Sequence, residues 1–258
     1  MNPVRAVWHQ HRYDRLTFWR DPASVFFTVV LPLIFLFLFV SIFGNGTVNV
    51  DGQEVRGATY FVPGILALAI VSATVVNLAI TCSILRERGI LKRLRATPMP
   101  SWVFTGGKAL TATAVVVGMT ALVAVVGRLV YDVELPTTTL PGLLLTLAVA
   151  TPSLCALGLA LTAAIPTEQA APAVTNAIVL PLYFVSGVFV PDDQLPSAMR
   201  TLAEVFPVKH LFEALVAAFD PTTTGPGIQW GNLAVLAAWG VVGAAVASRT
   251  FRWTPVRG

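Results

Sequence analysis

Long apolar stretches alternate with short polar segments along the whole chain. Six of these stretches contain no Asp, Glu, Lys or Arg, namely 22–50, 57–85, 109–127, 135–167, 169–191 and 221–248. Each stretch can supply the roughly 20 apolar residues that a membrane-spanning helix needs. The pattern therefore predicts an all-α membrane protein with six transmembrane helices, at about 24–43, 62–84, 104–127, 141–164, 171–190 and 229–248.

The first 22 residues predict a helix that lies at the membrane surface. Four aromatic residues are interleaved here with arginines, namely Trp8, Tyr13, Phe18 and Trp19. Aromatic rings favour the boundary of the acyl chains, whereas guanidinium groups favour the phosphates. We therefore expect 1–22 to form an interfacial helix, with His9 and His11 exposed at the interface. Asp21 is then the N-cap of the first span, and Pro22 takes its first helical position.

The polar segment 86–97 predicts a short amphipathic helix between the second and third spans. At 100° per residue its two faces are Ile90, Leu91 and Leu94 on the apolar side and Arg88, Lys92 and Arg95 on the basic side. Such a helix either rests on anionic lipid or presents its basic face to a protein partner. Glu87 falls near the apolar side, where a carboxylate is unfavourable unless it caps a helix end or is paired, either with Arg86 or with a residue of a partner protein. We expect Gly89 to let another backbone come close, because a side chain at this position would block it.

The connection after the fifth span is too long for a simple turn and contains an amphipathic helix of its own. Its apolar residues follow helical spacing at Val208, Leu211, Phe212, Leu215, Val216 and Phe219. We expect 191–220 to fold back as an external re-entrant hairpin. His210 falls outside the apolar face, and we expect it at the interface rather than in a catalytic role.

Composition and charge exclude a soluble fold and assign an orientation. Hydrophobic residues make up 55% of the chain and charged residues 12%, about half the usual charged fraction of soluble proteins. One side of the predicted membrane holds 13 basic and four acidic residues. The other side holds four basic and nine acidic residues. Short loops rich in Lys and Arg stay cytoplasmic, so both termini are predicted to lie in the cytoplasm. The net charge of +4 thus reports topology, and no nucleic-acid partner is expected.

Sequence motifs for catalysis or metal binding do not occur. Gly106-Gly107-Lys108 lacks the upstream glycine and the following Ser or Thr of a phosphate-binding loop, and there is no HExxH or GxSxG sequence. Cys82 and Cys155 show no metal-ligand spacing. The predicted span interiors contain no Asp or Glu, which counts against a proton relay or a carboxylate ion site. We therefore expect no metal and no cofactor in this chain, and a membrane unit driven by a separate motor.

Neutral polar side chains do occur inside the predicted spans. The second span carries Asn77 and Thr81, and the fifth carries Asn176 and Tyr183. Such groups either form interhelical hydrogen bonds or line a substrate cavity. The sequence leaves both interpretations open.

Two motifs resemble those of type-2 ATP-binding-cassette (ABC) transporter permeases. The first is Arg86-Glu87-Arg88-Gly89-Ile90-Leu91-Lys92-Arg93-Leu94-Arg95-Ala96-Thr97-Pro98, which is similar to the family's Glu-x-Gly-Thr-Leu-x-x-Leu/Arg-Ala-Thr-Pro pattern after the second span, with Ile90 in place of the commoner threonine. The second is Leu182-Tyr183-Phe184-Val185-Ser186-Gly187-Val188-Phe189-Val190-Pro191, followed by Phe206-Pro207. Arg20-Asp21-Pro22 is a weaker third match. The resemblance covers nearly the whole chain and is strongest to bacterial drug exporters of the daunorubicin-resistance type.

The resemblance implies that 1–258 is a single transmembrane domain acting as half of an exporter. Two such subunits, identical or homologous, would lie side by side in the lipid membrane above two copies of an ABC ATPase subunit that binds ATP and Mg²⁺. The 86–97 segment would be the coupling helix, and its ATPase contacts would be Glu87, Arg88, Gly89, Leu91, Lys92 and Arg95. The second and fifth spans would line the transport path, with the candidates Asn77, Thr81, Asn176, Tyr183 and Phe184.

The expected function is outward transport of a hydrophobic or amphipathic compound, drug-like or lipid-like, across the bacterial cytoplasmic membrane. A neighbouring branch of the superfamily exports polysaccharides, but nothing here, such as a linked sugar-binding domain, points to it. The motif at 86–100 and the lack of intramembrane carboxylates disfavour a secondary transporter or channel that works alone. A membrane scaffold or enzyme has no catalytic residues to support it.

Overall fold

The computed structural model describes residues 3–43, 46–50, 53–97, 99–189 and 196–254. Within these ranges the chain is helical apart from one short hairpin and the connecting turns. In chain order the α-helices are α1 (Pro3–Arg20), α2 (Pro22–Val25), α3 (Leu31–Phe43), α4 (Gly57–Val71), α5 (Asn77–Glu87), α6 (Ile90–Arg95), α7 (Ser101–Tyr131), α8 (Leu140–Leu161), α9 (Ala171–Val185), α10 (Ser197–Ala203), α11 (Pro207–Phe219) and α12 (Trp230–Thr250).

Among the described residues, five helical segments are long and apolar enough to cross a membrane. They match predicted spans one, two, three, four and six and comprise Pro22–Ile42, Gly57–Glu87, Ser101–Tyr131, Leu140–Ala164 and Trp230–Thr250. At the predicted fifth span, α9 is apolar but has 15 residues. Its length of about 22 Å is less than a hydrocarbon core of roughly 30 Å. The structure thus confirms a multi-pass helical membrane protein, while the six-span arrangement stays a prediction.

A short β-hairpin lies between spans one and two and was not predicted. Strand β1 (Thr47–Val50) pairs in antiparallel fashion with β2 (Gln53–Arg56), with Thr47 opposite Arg56 and Val50 opposite Gln53. The two intervening residues, Asp51 and Gly52, lie outside the described residues. The hairpin is an exception to the all-α class that the sequence predicts.

Span two is the centre of the bundle. All residues of α4 except Thr59 are buried, and α3, α7 and α11 pack around it. Gly64 permits a close approach here, because a Cβ at this position would lie 2.9 Å from the carbonyl oxygen of Val188. The outer spans instead expose large apolar side chains such as Phe27 and Leu129. A helix that is apolar on every face is suited to such a buried central position.

Spans one and two each contain a wider π-helical turn, at Phe26–Val30 and Ser72–Val76. In span one this turn directly precedes Pro32, whose ring cannot fit against the carbonyl of residue 28 in regular α-helix. In span two the hydroxyl of Thr74 donates to the carbonyl of Ile70 at 2.6 Å. Such single π-turns interrupt an α-helix locally without ending it. Both spans therefore continue through the interruption.

The segment after α9 packs into the bundle through α11. The predicted apolar face is confirmed, since Val208, Leu211, Phe212, Leu215 and Phe219 are all buried. The helix packs against α4, α8 and α12. The predicted hairpin 191–220 is covered only from Pro196 onward, because residues 190–195 lie outside the described part of the chain. Its position relative to the membrane stays a prediction.

His210 connects the start of α11 with α12 and with the end of α10. Its Nδ1 lies 2.8 Å from Oδ1 of Asn232, and its Nε2 lies 2.7 Å from the carbonyl oxygen of Glu204. Both contacts are within hydrogen-bonding distance. The side chain therefore has a structural role between α10, α11 and α12.

Helix α1 docks along the first half of α7 through polar contacts. Nζ of Lys108 donates to Oδ1 of Asp14 at 2.8 Å, and both side chains are buried. Nδ1 of His11 lies 3.0 Å from the hydroxyl of Thr111. The expectation that His11 is exposed is wrong, because it is 5% exposed and faces span three. The 1–22 helix is thus part of the bundle on one face, with Trp8 and Trp19 among the exposed side chains on the other.

Candidate coupling site and transport path

The 86–97 segment is not one helix. Span two continues to Glu87, a turn follows at Arg88 and Gly89, and the short helix α6 begins at Ile90. The 31 residues of span two would extend about 46 Å as regular helix, roughly 16 Å more than a hydrocarbon core. Span two is therefore long enough to extend beyond the apolar layer. We call the end of the bundle that carries α6 the α6 end.

Gly89 is required for its backbone conformation. Its φ angle is +67°, in the left-handed region that side chains other than those of Asn and Asp rarely adopt. A Cβ at this position would meet nothing within 4 Å. The expected close approach of another backbone is therefore wrong within the subunit, and the glycine instead permits the sharp turn into α6.

Helix α6 has one buried anchor and an exposed basic surface. Leu91 is fully buried and packs in a cluster with Phe104 of span three. Lys92 and Arg95 are exposed. Ile90, which shares the predicted apolar face with Leu91, is 37% exposed within the subunit. Leu94 is half-buried against the same cluster, so the helix is held by two apolar residues and leaves its basic side chains accessible.

Arg86 and Arg88 bind the connection between spans four and five. Arg86 is buried and donates from Nη1 to the carbonyl of Thr162 at 2.9 Å and from Nη2 to that of Ile165 at 2.6 Å. Nε of Arg88 forms an ion pair with Glu168 at 3.3 Å. The sequence left two candidates to pair with Glu87, Arg86 and a residue of a partner protein, and the Arg86 guanidinium is hydrogen-bonded to backbone carbonyls. Glu87 is half-buried at the end of α5.

A cleft of about 280 Å³ lies beside α6. Its lining includes Leu94 and Arg95 of α6, Phe104 of span three and Trp253 beyond span six. The Trp253 and Phe104 rings are in contact, with centroids 5.9 Å apart. The C-terminal segment therefore packs against the same surface from which α6 projects.

The polar residues predicted for the transport path occupy two different environments. Nδ2 of Asn77 donates to Oγ of Ser24 in span one at 3.1 Å, and Thr81, one turn further along, is half-buried. Tyr183 is buried, and its hydroxyl donates to the carbonyl of Leu68 at 3.2 Å. Asn176 and Phe184 are exposed on α9. Within one subunit these five residues do not line a common cavity.

The exposed face of α9 is continuous and mostly apolar. Asn176, Leu180 and Phe184 follow at intervals of four residues, so they lie on one side of the helix. The α9 segment is hydrogen-bonded to span two through the buried Tyr183 and through Tyr60, whose hydroxyl donates to the carbonyl of Gly187, just after the helix, at 2.7 Å. The helix is therefore attached to span two, and the face formed by Asn176, Leu180 and Phe184 is exposed within the subunit.

Two buried interactions at the α6 end were missed at the sequence level. One is the Asp14–Lys108 pair, and the other is the binding of Arg86 to the carbonyls after α8. Lys108 did carry a signal, because it is followed by a long charge-free stretch and therefore needs a partner. The carbonyl partners of Arg86 are backbone groups, so no residue type marks them. Among the described residues there is no group of three or more His, Cys, Asp or Glu that could hold a metal.

The arrangement defines a multi-pass membrane protein with a basic helix displayed at one end. Residues 6–219 match the ABC-2 type transporter family. Because this match covers most of the chain, the protein belongs to that family and is a transporter permease component that works with an ATPase partner. No curated protein matches the chain.

Proposed function

We propose that this chain is the membrane-spanning half of an ABC exporter that moves a hydrophobic or amphipathic compound outward. The energy comes from ATP, bound with Mg²⁺ and hydrolysed by a separate ATPase subunit present in two copies. The observation that carries the proposal is α6, a short helix with one buried anchor at Leu91 and exposed basic residues at Lys92 and Arg95. Such a helix can pass a displacement from the ATPase subunit to the membrane spans, because it contacts span three on one side and remains accessible on the other.

The orientation follows from the distribution of charge. Both termini and α6 lie in the cytoplasm of a bacterial cell, and α10 and α11 lie outside. The excess of basic residues at the α6 end supports this, since short Lys- and Arg-rich loops are retained in the cytoplasm. The exposed aromatic residues Trp8 and Trp19 of α1 then lie at the cytoplasmic headgroup layer.

A second permease subunit, identical or homologous, completes the transport path. The face of α9 formed by Asn176, Leu180 and Phe184 supports this arrangement, because it is exposed and mostly apolar. Two such faces, together with the neighbouring residues Asn77 and Thr81 of span two, would enclose a largely apolar path. A path of this composition suits a drug-like or lipid-like substrate better than a polysaccharide, which needs many hydrogen-bonding groups.

Substitution of Asn176 tests the path. Asn176→Leu removes an exposed polar group that makes no contact required for packing, so insertion and thermal stability should remain close to those of the parent. Substrate range or substrate-stimulated ATP hydrolysis should change. Asn77→Leu serves as the comparison, because it also removes the bond to Ser24, and interhelical bonds of this kind contribute about 0.6 kcal/mol on average. Unchanged transport in both variants would exclude these residues from the path.

The coupling role is tested by reversing the charge of α6. The tagged chain is purified from membranes of its native host, and the co-purifying subunit is identified by its nucleotide-binding sequence and its ATP hydrolysis. Lys92→Glu/Arg95→Glu should lower recovery of this subunit at least tenfold while leaving the protein in the membrane. Glu87→Ala should retain recovery and weaken transport per ATP.

The matched control is Arg12→Glu/Arg15→Glu, which makes the same change of charge on exposed residues of α1. Equal recovery of the ATPase with both double variants would contradict docking at α6. Loss of recovery with the control alone would place the docking site on α1.

A further inference from the structure

Arg86 occupies an unusual position for a charged side chain. It is 2% exposed at the end of span two, and its two Nη atoms bind two carbonyls that follow span four. These carbonyls, of Thr162 and Ile165, begin and follow the last 3₁₀ turn of that span at Thr162–Ala164. Its Nε is also buried and has no hydrogen-bond partner. The polar contacts of this guanidinium are thus made to the connection between spans four and five.

The guanidinium of Arg86 is well suited to the two carbonyl oxygens that it binds. The last carbonyls of a helix carry partial negative charge, so a cation stabilises them. The Thr162 carbonyl also accepts the backbone N–H of Ile165 at 3.3 Å and uses its second lone pair for Arg86. The planar guanidinium can donate to two acceptors at once in a fixed geometry, which a lysine ammonium cannot reproduce. Leaving such a charge buried without its acceptors would be strongly unfavourable. Arg86 and the end of span four should therefore move together rather than separate.

Two further contacts join the same parts. Nε of Arg88, in the turn before α6, lies 3.3 Å from Oε2 of Glu168. Ile165 and Ala171, at the two ends of the connection, pack against Ala79 of α5 in a buried cluster. The connection from Thr162 to Ala171 is thus fixed to α5 by a buried arginine, an ion pair and apolar packing. We call these contacts the Arg86 latch.

We propose that the Arg86 latch transmits the displacement of α6 from span two into span four and α9. Arg86 is a positioning residue in this scheme, acting through the carbonyls of Thr162 and Ile165. This inference rests on the proposed function, because it requires an ATPase that acts on α6. It deepens that function by adding a route to α9, the helix with the exposed face at Asn176 and Phe184.

The latch explains how one short helix can drive a path formed by helices distant in sequence. Helix α6 contacts span three directly through Leu91 and Phe104. Helix α6 ends at Arg95, whereas α9 begins 76 residues later at Ala171, so along the chain the two helices are separated by spans three and four. The latch supplies the missing connection at the α6 end, immediately before the first residue of α9.

The experiment uses the permease together with its co-purified ATPase in lipid vesicles and measures ATP turnover and transport in parallel. Arg86→Met should retain ATPase association and ATP turnover, and transport per ATP should fall at least tenfold. Arg86→Lys should give an intermediate loss, because lysine preserves the charge without the paired donors. The control Arg249→Met, an exposed arginine at the same end of the bundle, should behave like the parent. Parent-like transport per ATP in Arg86→Met would overturn the latch, and so would loss of ATPase association.

A charge exchange keeps the test decisive if Arg86→Met does not insert. Arg88→Glu and Glu168→Arg should each lower transport per ATP several-fold, and the double variant should recover at least half of the parental value. A purely structural contact would alter thermal stability without changing this ratio. Absence of recovery in the double variant, or an unchanged ratio in Glu168→Arg, would overturn the proposal. If the parent chain itself recruits no ATPase, it is the proposed function that fails.

Discussion

The ion pair between Asp14 and Lys108 determines whether α1 is an integral part of the bundle or only rests on the membrane. The side chains are 6% and 9% exposed, and the Nζ–Oδ1 distance is 2.8 Å. The informative perturbation is to remove each partner separately and then both together, as Asp14→Leu, Lys108→Met and the double variant.

The expected magnitudes follow from the surroundings of the pair. Loss of one partner from a buried pair leaves the other charge uncompensated and costs about 3–5 kcal/mol, whereas replacing both with apolar groups is often neutral. The remaining contacts compensate only in part. Lys108 would retain the Phe104 ring at 5.7 Å, and Asp14 would retain the amide of Gln10 at 3.1 Å. We therefore expect each single variant to lose about 3 kcal/mol and the double variant to lose less than either.

The assay is thermal unfolding of the purified chain in detergent, followed by tryptophan fluorescence. For a chain of this size, 3 kcal/mol corresponds to a decrease in Tm of roughly 6–12 °C. The control is Arg128→Met, which breaks an ion pair with Asp132 whose side chains are 49% and 70% exposed, and it should cost less than about 1 kcal/mol. A double variant that loses as much as the two single variants combined would refute the reasoning.

Three further substitutions test the turn at α6, the packing of span four and the orientation of the chain. Gly89→Ala places a side chain at a φ of +67°, which costs roughly 1–2 kcal/mol in the thermal assay, whereas Gly89→Asn should unfold closer to the parent. Gly142→Ala should cost about 1–3 kcal/mol, because its Cβ would overlap the backbone of Gly227, while Gly231→Ala has open space and should be neutral or slightly stabilising. Thr224→Cys should react with a membrane-impermeant maleimide in intact cells, against a low background because both native cysteines are buried. Labelling only after permeabilisation would contradict the proposed orientation.

The sequence predicted those features that depend on local periodicity. The charge-free stretches located five long spans, and the spacing of Val208, Leu211 and Leu215 located the buried face of α11. The residues of α6 were also divided correctly into the anchor Leu91 and an exposed basic side, apart from Ile90. Each of these features is visible within a window of a few helical turns.

Features that depend on distant partners were missed. Asp14 and Lys108 are 94 positions apart, and Arg86 bonds to backbone groups about 80 positions away, so neither contact leaves a local pattern. The β-hairpin is different, because Asp51-Gly52 between alternating residues is a recognisable hairpin signal that the long apolar stretch obscured. The end of the helix at Gly89 was also missed, because 86–97 was analysed as one continuous helix. A helical wheel assumes continuous helix and cannot show a positive φ.

We propose that this permease moves its substrate only when a separate subunit hydrolyses ATP. The direct measurement is ATP-dependent accumulation of an amphipathic fluorescent cation in inside-out vesicles, reconstituted with the chain alone, the ATPase alone or both. We expect accumulation only when both are present with ATP and Mg²⁺, and loss of transport with Lys92→Glu/Arg95→Glu in α6. Accumulation by the chain alone, driven by an ion gradient without ATP, would contradict it and identify a secondary transporter.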